Sequence, residues 1–263
     1  MNTDIKIGFI GYGNMAQAMV KGLLLKKALS PQQIFVCAKN WEKLCQNAQK
    51  AGVQPCKSPK EAVEQSDIVV IAVKPYLIEE VVSPIKEELK EKLVVSVAAG
   101  CLFDWYEKIL APKTHHISTL PNTPVSVGEG VIVCESKHSL TEKEFELFQT
   151  LFGCMGLITE VDTKHVGIAG TLSGCGPAFA AMFIEALGDA GVLHGLPRGL
   201  AYELASQMIA GTGALQRALG DHPGSMKDAV CSPGGTTITG VAALEKNGFR
   251  SAVIEAVDRI MKK

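Results

Sequence analysis

The chain has no excess of either charge: 26 Lys and Arg stand against 27 Asp and Glu in 263 residues, for a net charge of −1. A near-neutral surface gives no electrostatic footprint for nucleic acid or an anionic membrane, so neither is expected as a partner. The eight cysteines are scattered, with no Cys-x-x-Cys pair and no His/Cys cluster at metal-ligand spacing. That pattern predicts free thiols, no bound metal and a reducing compartment, hence a cytoplasmic protein. The N-terminus shows no signal-peptide pattern, and no apolar run reads as long enough to span a bilayer. One further absence is local: no Asp or Glu occurs between Asp4 and Glu42.

With 47% hydrophobic residues, the chain buries a sizeable core and divides into two domains, read as residues 1–161 and 162–263. Over the first, strand-like and helix-like segments alternate. Strands are expected at Ile5–Ile10, Ile34–Cys37, Ile68–Val73, Leu93–Val97, His116–Leu120, Gly130–Cys134 and Gly156–Val161. Helices are expected over 17–26, 77–89 and 141–152. The continuous apolar run Ile68–Val73 is the pattern of a parallel strand covered on both faces. After Val161 the texture is helical, with segments at 163–172, 177–193, 198–219, 236–246 and 251–261 and a short turn at 226–230. Gly195 and Pro197 make a stop and a restart between two long helices. So much apolar surface on a small helical domain predicts a partner subunit, with packing inside the monomer as the competing account.

The first strand runs into Gly11-Tyr12-Gly13-Asn14-Met15-Ala16 and then a helix. This is Gly-x-Gly-x-x-Ala in the strand–turn–helix setting of a dinucleotide-binding fingerprint. Gly11 permits the tight turn, Gly13 admits the pyrophosphate to the backbone, and Ala16 allows close packing of helix on strand. In such folds ligands sit beyond the carboxyl ends of the strands. Those ends give the expected cofactor contacts: Ile10, Gly11, Gly13, Asn14, Met15 and Ala16, then Lys39 and Asn40. Ala72-Val73-Lys74-Pro75 and Ala98-Ala99-Gly100 complete the set, with Pro121-Asn122-Thr123-Pro124 a further strand end. The second strand ends in Ala38-Lys39-Asn40, where NAD-preferring folds carry an acid for the ribose 2′-hydroxyl. A lysine there attracts a 2′-phosphate that a carboxylate would repel. NADPH is therefore the expected cofactor, with NADH a weaker alternative; a solvated loop lysine is the competing reading.

A second constellation is Ser232-Pro233-Gly234-Gly235-Thr236-Thr237, followed by an apolar helical pattern. Backbone N–H groups opening a helix carry unpaired donors and partial positive charge, a ready site for a carboxylate or phosphate. Thr236 and Thr237 add hydroxyls. A capped turn without ligand competes with this reading.

Taken together, these blocks resemble the pyrroline-5-carboxylate reductase family over essentially the whole length. The matching stretches are Gly8-Phe9-Ile10-Gly11 with Gly13 to Ala16, Ala72 to Pro75, Pro121 to Pro124, and Leu172-Ser173-Gly174-Cys175-Gly176-Pro177-Ala178. Gly195-Leu196-Pro197-Arg198, Lys227-Asp228, Ser232 to Thr237 and Gly248-Phe249-Arg250-Ser251 complete the order. The resemblance implies an α/β fold, a Rossmann dinucleotide domain followed by a helical dimerisation domain. It also implies homodimers that assemble into pentamers of dimers. The implied activity is NAD(P)H-dependent reduction of the cyclic imine 1-pyrroline-5-carboxylate to L-proline, the last step of proline biosynthesis. Substrate is then placed near Ser232, Gly234, Gly235, Thr236 and Thr237. Cys175 stands where the family usually has Ser. Asp162-Thr163 falls where acidic pairs are common, which leaves Asp162 as the acidic contact on that side.

The chemistry agrees with the residue types. Reducing a cyclic imine needs hydride at carbon and a proton on nitrogen. The nitrogen is itself basic, so no strong general acid is required, in keeping with the lack of a catalytic His/Asp pair. The substrate carboxylate is expected on the N–H groups of Gly235 to Thr237, with the Thr237 hydroxyl orienting the ring nitrogen. Two rivals are a β-hydroxyacid dehydrogenase, which needs a catalytic Lys absent from Ser173 to Phe179, and a non-catalytic dinucleotide sensor.

Overall fold

The computed structural model describes residues 4–262. The chain divides into two compact units, one ending at Cys175 and the other beginning at Gly176.

In the first unit, strands and helices alternate: β1 (Ile7–Ile10), α1 (Asn14–Leu25), β2 (Ile34–Cys37), α2 (Trp41–Ala51), β3 (Gln54–Pro55), α3 (Pro59–Glu64), β4 (Ile68–Ile71), α4 (Ile78–Val82) and α5 (Lys86–Leu89). They are followed by β5 (Leu93–Ser96), α6 (Phe103–Tyr106), β6 (His115–Pro121), β7 (Gly130–Glu135), α7 (Glu142–Phe152), β8 (Gly156–Val161) and α8 (Val166–Gly170). The strands form one sheet in the order β3-β2-β1-β4-β5-β6-β7-β8. The chain first builds outward from β1 through β2 to β3, then returns to place β4 on the other side of β1. Strand order therefore reverses between β1 and β4, the place where doubly wound sheets open a crevice. Ile7 sits opposite Ile34 on one side and Ile68 on the other, so the three carboxyl ends lie level. A wholly parallel sheet holds only through β6. There β7 pairs antiparallel, and β8 pairs parallel with β7, so the last two strands run against the rest.

Period-two alternation explains how the sheet is covered. Phe9, Val70 and Val95 point to one face, where they meet Met19 and Leu23 of α1, Leu44 and Ala48 of α2, and Phe148 and Phe152 of α7. Ile10, Val69, Ile71 and Val94 point to the other, against Ala62 and Val63 of α3, Ile78 and Val82 of α4, Leu89 of α5 and Tyr106 of α6. Both faces are dry, which is why these strands read as unbroken apolar runs rather than alternating ones.

The expected helix over 77–89 is broken. α4 ends at Val82, a 3-10 turn covers Ser83–Ile85, and α5 follows. Pro84 has no N–H to continue the α ladder, which accounts for the interruption. Conversely, the segments expected at 163–172 and 177–193 are one helix from Thr163 to Leu193. A π-helical stretch at Thr171–Cys175 joins them. The Thr171 and Ser173 hydroxyls donate back to the carbonyls of Gly167 and Ala169 at 3.0 and 2.8 Å. The wider turn accommodates Pro177, whose missing N–H would break a regular helix. By length and apolar composition this helix is long enough to cross a membrane, which corrects the expectation that no such run exists. Much of it is Gly and Ala, and its length is hidden by the Gly-Cys-Gly-Pro interruption in sequence.

The second unit comprises α9 (Gly176–Leu193), α10 (Arg198–Leu219), α11 (Pro223–Ala229), α12 (Thr236–Lys246) and α13 (Phe249–Met261). The stretch expected to be a short turn near 226–230 is α11 itself. Arg198 pairs with Asp189 and donates to the Tyr202 hydroxyl at 3.2 Å, fixing the α9–α10 hairpin. Among the described residues, the buried apolar side chains of this unit are Ala201 and Ala205. By contrast Met182, Leu193 and Ile254 are 68%, 81% and 69% exposed. An apolar surface of this extent marks an interface.

Candidate functional site

The crevice at the strand reversal holds a cavity of ≈ 950 Å³. Its walls come largely from the carboxyl ends of six strands, β1 to β6. Ile10, Gly11, Gly13, Asn14 and Met15 lie along β1 and the start of α1, and Lys39 follows β2. Ala72, Val73, Lys74 and Pro75 follow β4, Ala98 and Ala99 follow β5, and Thr123 follows β6. Three expected contacts fall outside these walls. Ala16 is buried in the core beneath α1. Asn40 turns its side-chain oxygen to the N–H of Lys43 at 2.9 Å, capping α2. Gly100 continues the loop beyond Ala99 with a φ of 82°.

The turn between β1 and α1 is shaped for a ligand. Gly11 has φ 98°, and a Cβ there would strike the Ala72 carbonyl oxygen at 2.6 Å. A Cβ on Gly13 would meet nothing within 4 Å, so the space above that residue is open. No side chain caps α1, and its first turn carries no acid. Its leading N–H groups and the positive end of its dipole are therefore available to an anion. This combination fits the pyrophosphate of a dinucleotide.

The Cys37 thiol lines the cavity at the end of β2, while Cys56, after β3, is buried in the core. Burial pushes Cys37 up to about 11, against a backbone hydrogen bond at Gly11 that lowers it. Burial, reinforced by the Glu61 charge, pushes Cys56 up to about 12. Both stay protonated at neutral pH and add no negative charge. Lys57, Ser58 and Pro59, between β3 and α3, also line the cavity, and the sequence reading missed all three. β3 has two residues and left no strand signal that would have pointed to the segment after it.

The second constellation lies in the helical unit. Ser232-Pro233-Gly234-Gly235 turns tightly, with Gly234 at φ 69° and the Gly235 N–H bonded to the Ser232 carbonyl at 3.0 Å. α12 starts at Thr236 with Gly235 as N-cap, no capping side chain and no acid in its first turn. Thr239 returns its hydroxyl to the Gly235 carbonyl at 3.1 Å. Ser232, Thr236 and Thr237 are exposed, with no partner for their hydroxyls among the described residues. Asp162 lies in the first unit, as the N-cap of the 3-10 turn Thr163–His165, and faces the His165 ring at 3.7 Å.

Comparison with known proteins identifies the family. A model described as pyrroline-5-carboxylate reductase dimerisation matches residues 163–263, and one described as NADP oxidoreductase, coenzyme F420-dependent, matches residues 6–100. The chain is 43% identical to pyrroline-5-carboxylate reductase of Treponema pallidum over 96% of its own length and 97% of that protein's. The chain belongs to the pyrroline-5-carboxylate reductase family. It is also 39% identical to the Escherichia coli member, over 98% of this chain and 96% of that one. Its fold superimposes with a TM-score of 0.88 on a Plasmodium falciparum pyrroline carboxylate reductase crystallised with NADP bound, at 32% identity and covering 99% and 97% of the two chains. The family membership expected from the motif blocks therefore holds, as does the α/β architecture with its helical dimerisation domain.

Proposed function

We propose that the protein reduces 1-pyrroline-5-carboxylate to L-proline with NADPH. The observation that carries this reading is the coexistence, in one member of this family, of a dinucleotide-shaped crevice and an uncapped, acid-free helix start bearing two threonines.

The N–H groups opening α1 hold the pyrophosphate, Lys39 takes the ribose 2′-phosphate, and Val73 to Pro75 with Ala98 and Ala99 wall the remainder of the cavity. NADH, lacking the phosphate, is the weaker donor. The N–H groups at Gly235, Thr236 and Thr237 bind the substrate carboxylate, aided by Ser232 and Gly234 in the turn before them. Asp162 is the acidic contact toward the substrate nitrogen. The Thr237 hydroxyl hydrogen-bonds the ring nitrogen and fixes the plane of the C=N bond. Bound NADPH supplies the hydride that the imine carbon accepts. The nitrogen enters already protonated, so a neutral amine results with no protein side chain changing its charge. Alignment, rather than acid catalysis, is what these residues contribute.

The apolar faces of α9, α10 and α13 join two copies of the chain, and such dimers assemble further as a pentamer of dimers. The same pairing covers the long helix from Thr163, which is how its apolar length is satisfied without a bilayer. Its free cysteines support a cytoplasmic location.

The test is NADPH oxidation by the purified protein with the cyclic imine, against NADP⁺ reduction with β-hydroxyacids. Imine-dependent oxidation supports the reading. Activity on hydroxyacids alone, or on neither, overturns it.

A further inference from the structure

Beside Lys39 and Lys74, the cavity is lined by a third lysine, Lys57, that no motif announced. β2 and β3 pair in parallel with Val36 opposite Pro55. Lys39 follows Val36 by three residues and Lys57 follows Pro55 by two, so adjacent strands, about 4.8 Å apart, deliver both lysines to one end of the crevice. Both line it. Among the described residues, neither ammonium has an ion-pair or hydrogen-bond partner. Lys60 is held by Glu88 at 2.7 Å and Lys137 by Asp104 at 2.6 Å.

Among the described residues, the nearby acid Glu61 forms an ion pair with neither lysine. The Glu61 carboxylate accepts the Lys57 backbone N–H at 2.7 Å, and the Glu61 N–H binds the Ser58 hydroxyl at 3.1 Å. Glu61 thus fixes the turn that presents Lys57 and is not part of the cavity wall. The acid that does line the cavity, Glu80, lies on α4 after β4, with β1 between β4 and β2. Among the described residues, two ammonium groups without an ion-pair partner therefore line one end of the cavity, beside the uncharged Cys37 thiol. A phosphate dianion gains from both, whereas a hydroxyl gains from neither.

We propose that Lys57 is a second specificity-determining contact for the 2′-phosphate of NADPH, acting with Lys39 as a two-lysine clamp across the ends of β2 and β3. This rests on the reading that the Lys39 end of the cavity receives the adenosine ribose.

The experiment is calorimetric titration of the cofactor-free protein with adenosine 2′,5′-bisphosphate and with 5′-AMP. It uses the wild type, Lys57→Gln, Lys39→Gln and the double variant, with Lys60→Gln as a control on the same segment. Lys57→Gln is expected to weaken the bisphosphate about ten-fold and to leave AMP within about two-fold, with a shallower salt dependence. Lys60→Gln changes neither ligand. If Lys39→Gln weakens the bisphosphate selectively and Lys57→Gln does not, the Lys57 assignment fails and the cofactor reading stands. If Lys57→Gln is selective and Lys39→Gln is silent, Lys57 is retained as the phosphate contact and the role given to Lys39 falls. Silence of both variants overturns both assignments. Equal weakening of AMP and bisphosphate by Lys57→Gln shows only a role in shaping the turn, and also overturns the proposal.

Discussion

Asn122 donates its side-chain N–H to the carbonyl of Ser173 at 2.9 Å, while its side-chain oxygen accepts the Val131 N–H at 2.8 Å. One buried amide thus ties the end of β6 both to β7 and to the π-helical segment of the long helix. The next residue, Thr123, lines the cofactor cavity. Asn122→Ala leaves a donor and an acceptor without their partner and should cost about 1–3 kcal/mol. Urea unfolding of wild type and variant would measure it. A variant as stable as wild type would show that water replaces the amide on both sides.

Thr237→Ala should lower imine turnover by about five- to thirty-fold, the loss of one neutral hydrogen bond of about 1–2 kcal/mol. NADPH affinity should be nearly unchanged, because the dinucleotide contacts lie in the first unit. Thr237→Ser should keep most of the activity. A fall of many thousand-fold in Thr237→Ala would make the hydroxyl an essential proton donor, and no fall would put the substrate elsewhere.

Lys39→Glu should raise KM for NADPH far more than for NADH, since the reversed charge acts on the 2′-phosphate alone. Steady-state kinetics with the two cofactors decide it; an equal response would remove Lys39 from the phosphate site.

His116 provides a pH test. Its ring is buried, stacks on Phe103 at 4.6 Å and hydrogen-bonds through Nε2 to Glu107 at 2.8 Å, while Nδ1 has no partner among the described residues. Burial holds its pKa below the ordinary 6.5, against the pull of Glu107. The unfolded chain therefore takes up a proton at a higher pH than the folded one. The stability this contributes is full above pH about 6.5 and is lost as pH falls below it, by at most about 1.4 kcal/mol per unit. Denaturant midpoints measured from about pH 7.5 down to about 5.5, about one unit on either side of that value, should fall more steeply for wild type than for His116→Gln. Parallel profiles would contradict the account.

Met182 and Ile254 are the residues to charge in testing assembly. Phe183 packs at a tilt against Phe249 within its own unit, with ring centroids 5.8 Å apart, so its loss would mix folding with association. Met182→Asp with Ile254→Asp should give smaller species by light scattering while helix content is kept. A wild-type chain that is monomeric at micromolar concentration would end the interface reading.

The crevice was legible because its determinants are local. A glycine forced to positive φ, an apolar strand and an uncapped helix leave a contiguous signature at Gly11 to Ala16, and Gly234 to Thr237 leaves another. Seven of the eight strands were visible, β1, β4 and β5 most clearly because both sheet faces are dry there. What escaped depended on pairing across the chain. Lys57 joins Lys39 only through the register of a two-residue strand, and Asn122 reaches Ser173 across 51 positions. The continuity of the helix through Pro177 depended on a π turn, for which Gly-Cys-Gly-Pro gives the opposite local signal.

The central claim is that hydride passes from NADPH to the imine carbon on this protein. The direct measurement is isotope transfer: NADPH deuterated at the donating position of its nicotinamide ring, incubated with the protein and the cyclic imine, followed by mass analysis of the product. The account predicts proline carrying one deuterium at the former imine carbon, formed in step with NADPH consumed. Proline without the label, or NADPH consumed without proline, would contradict it.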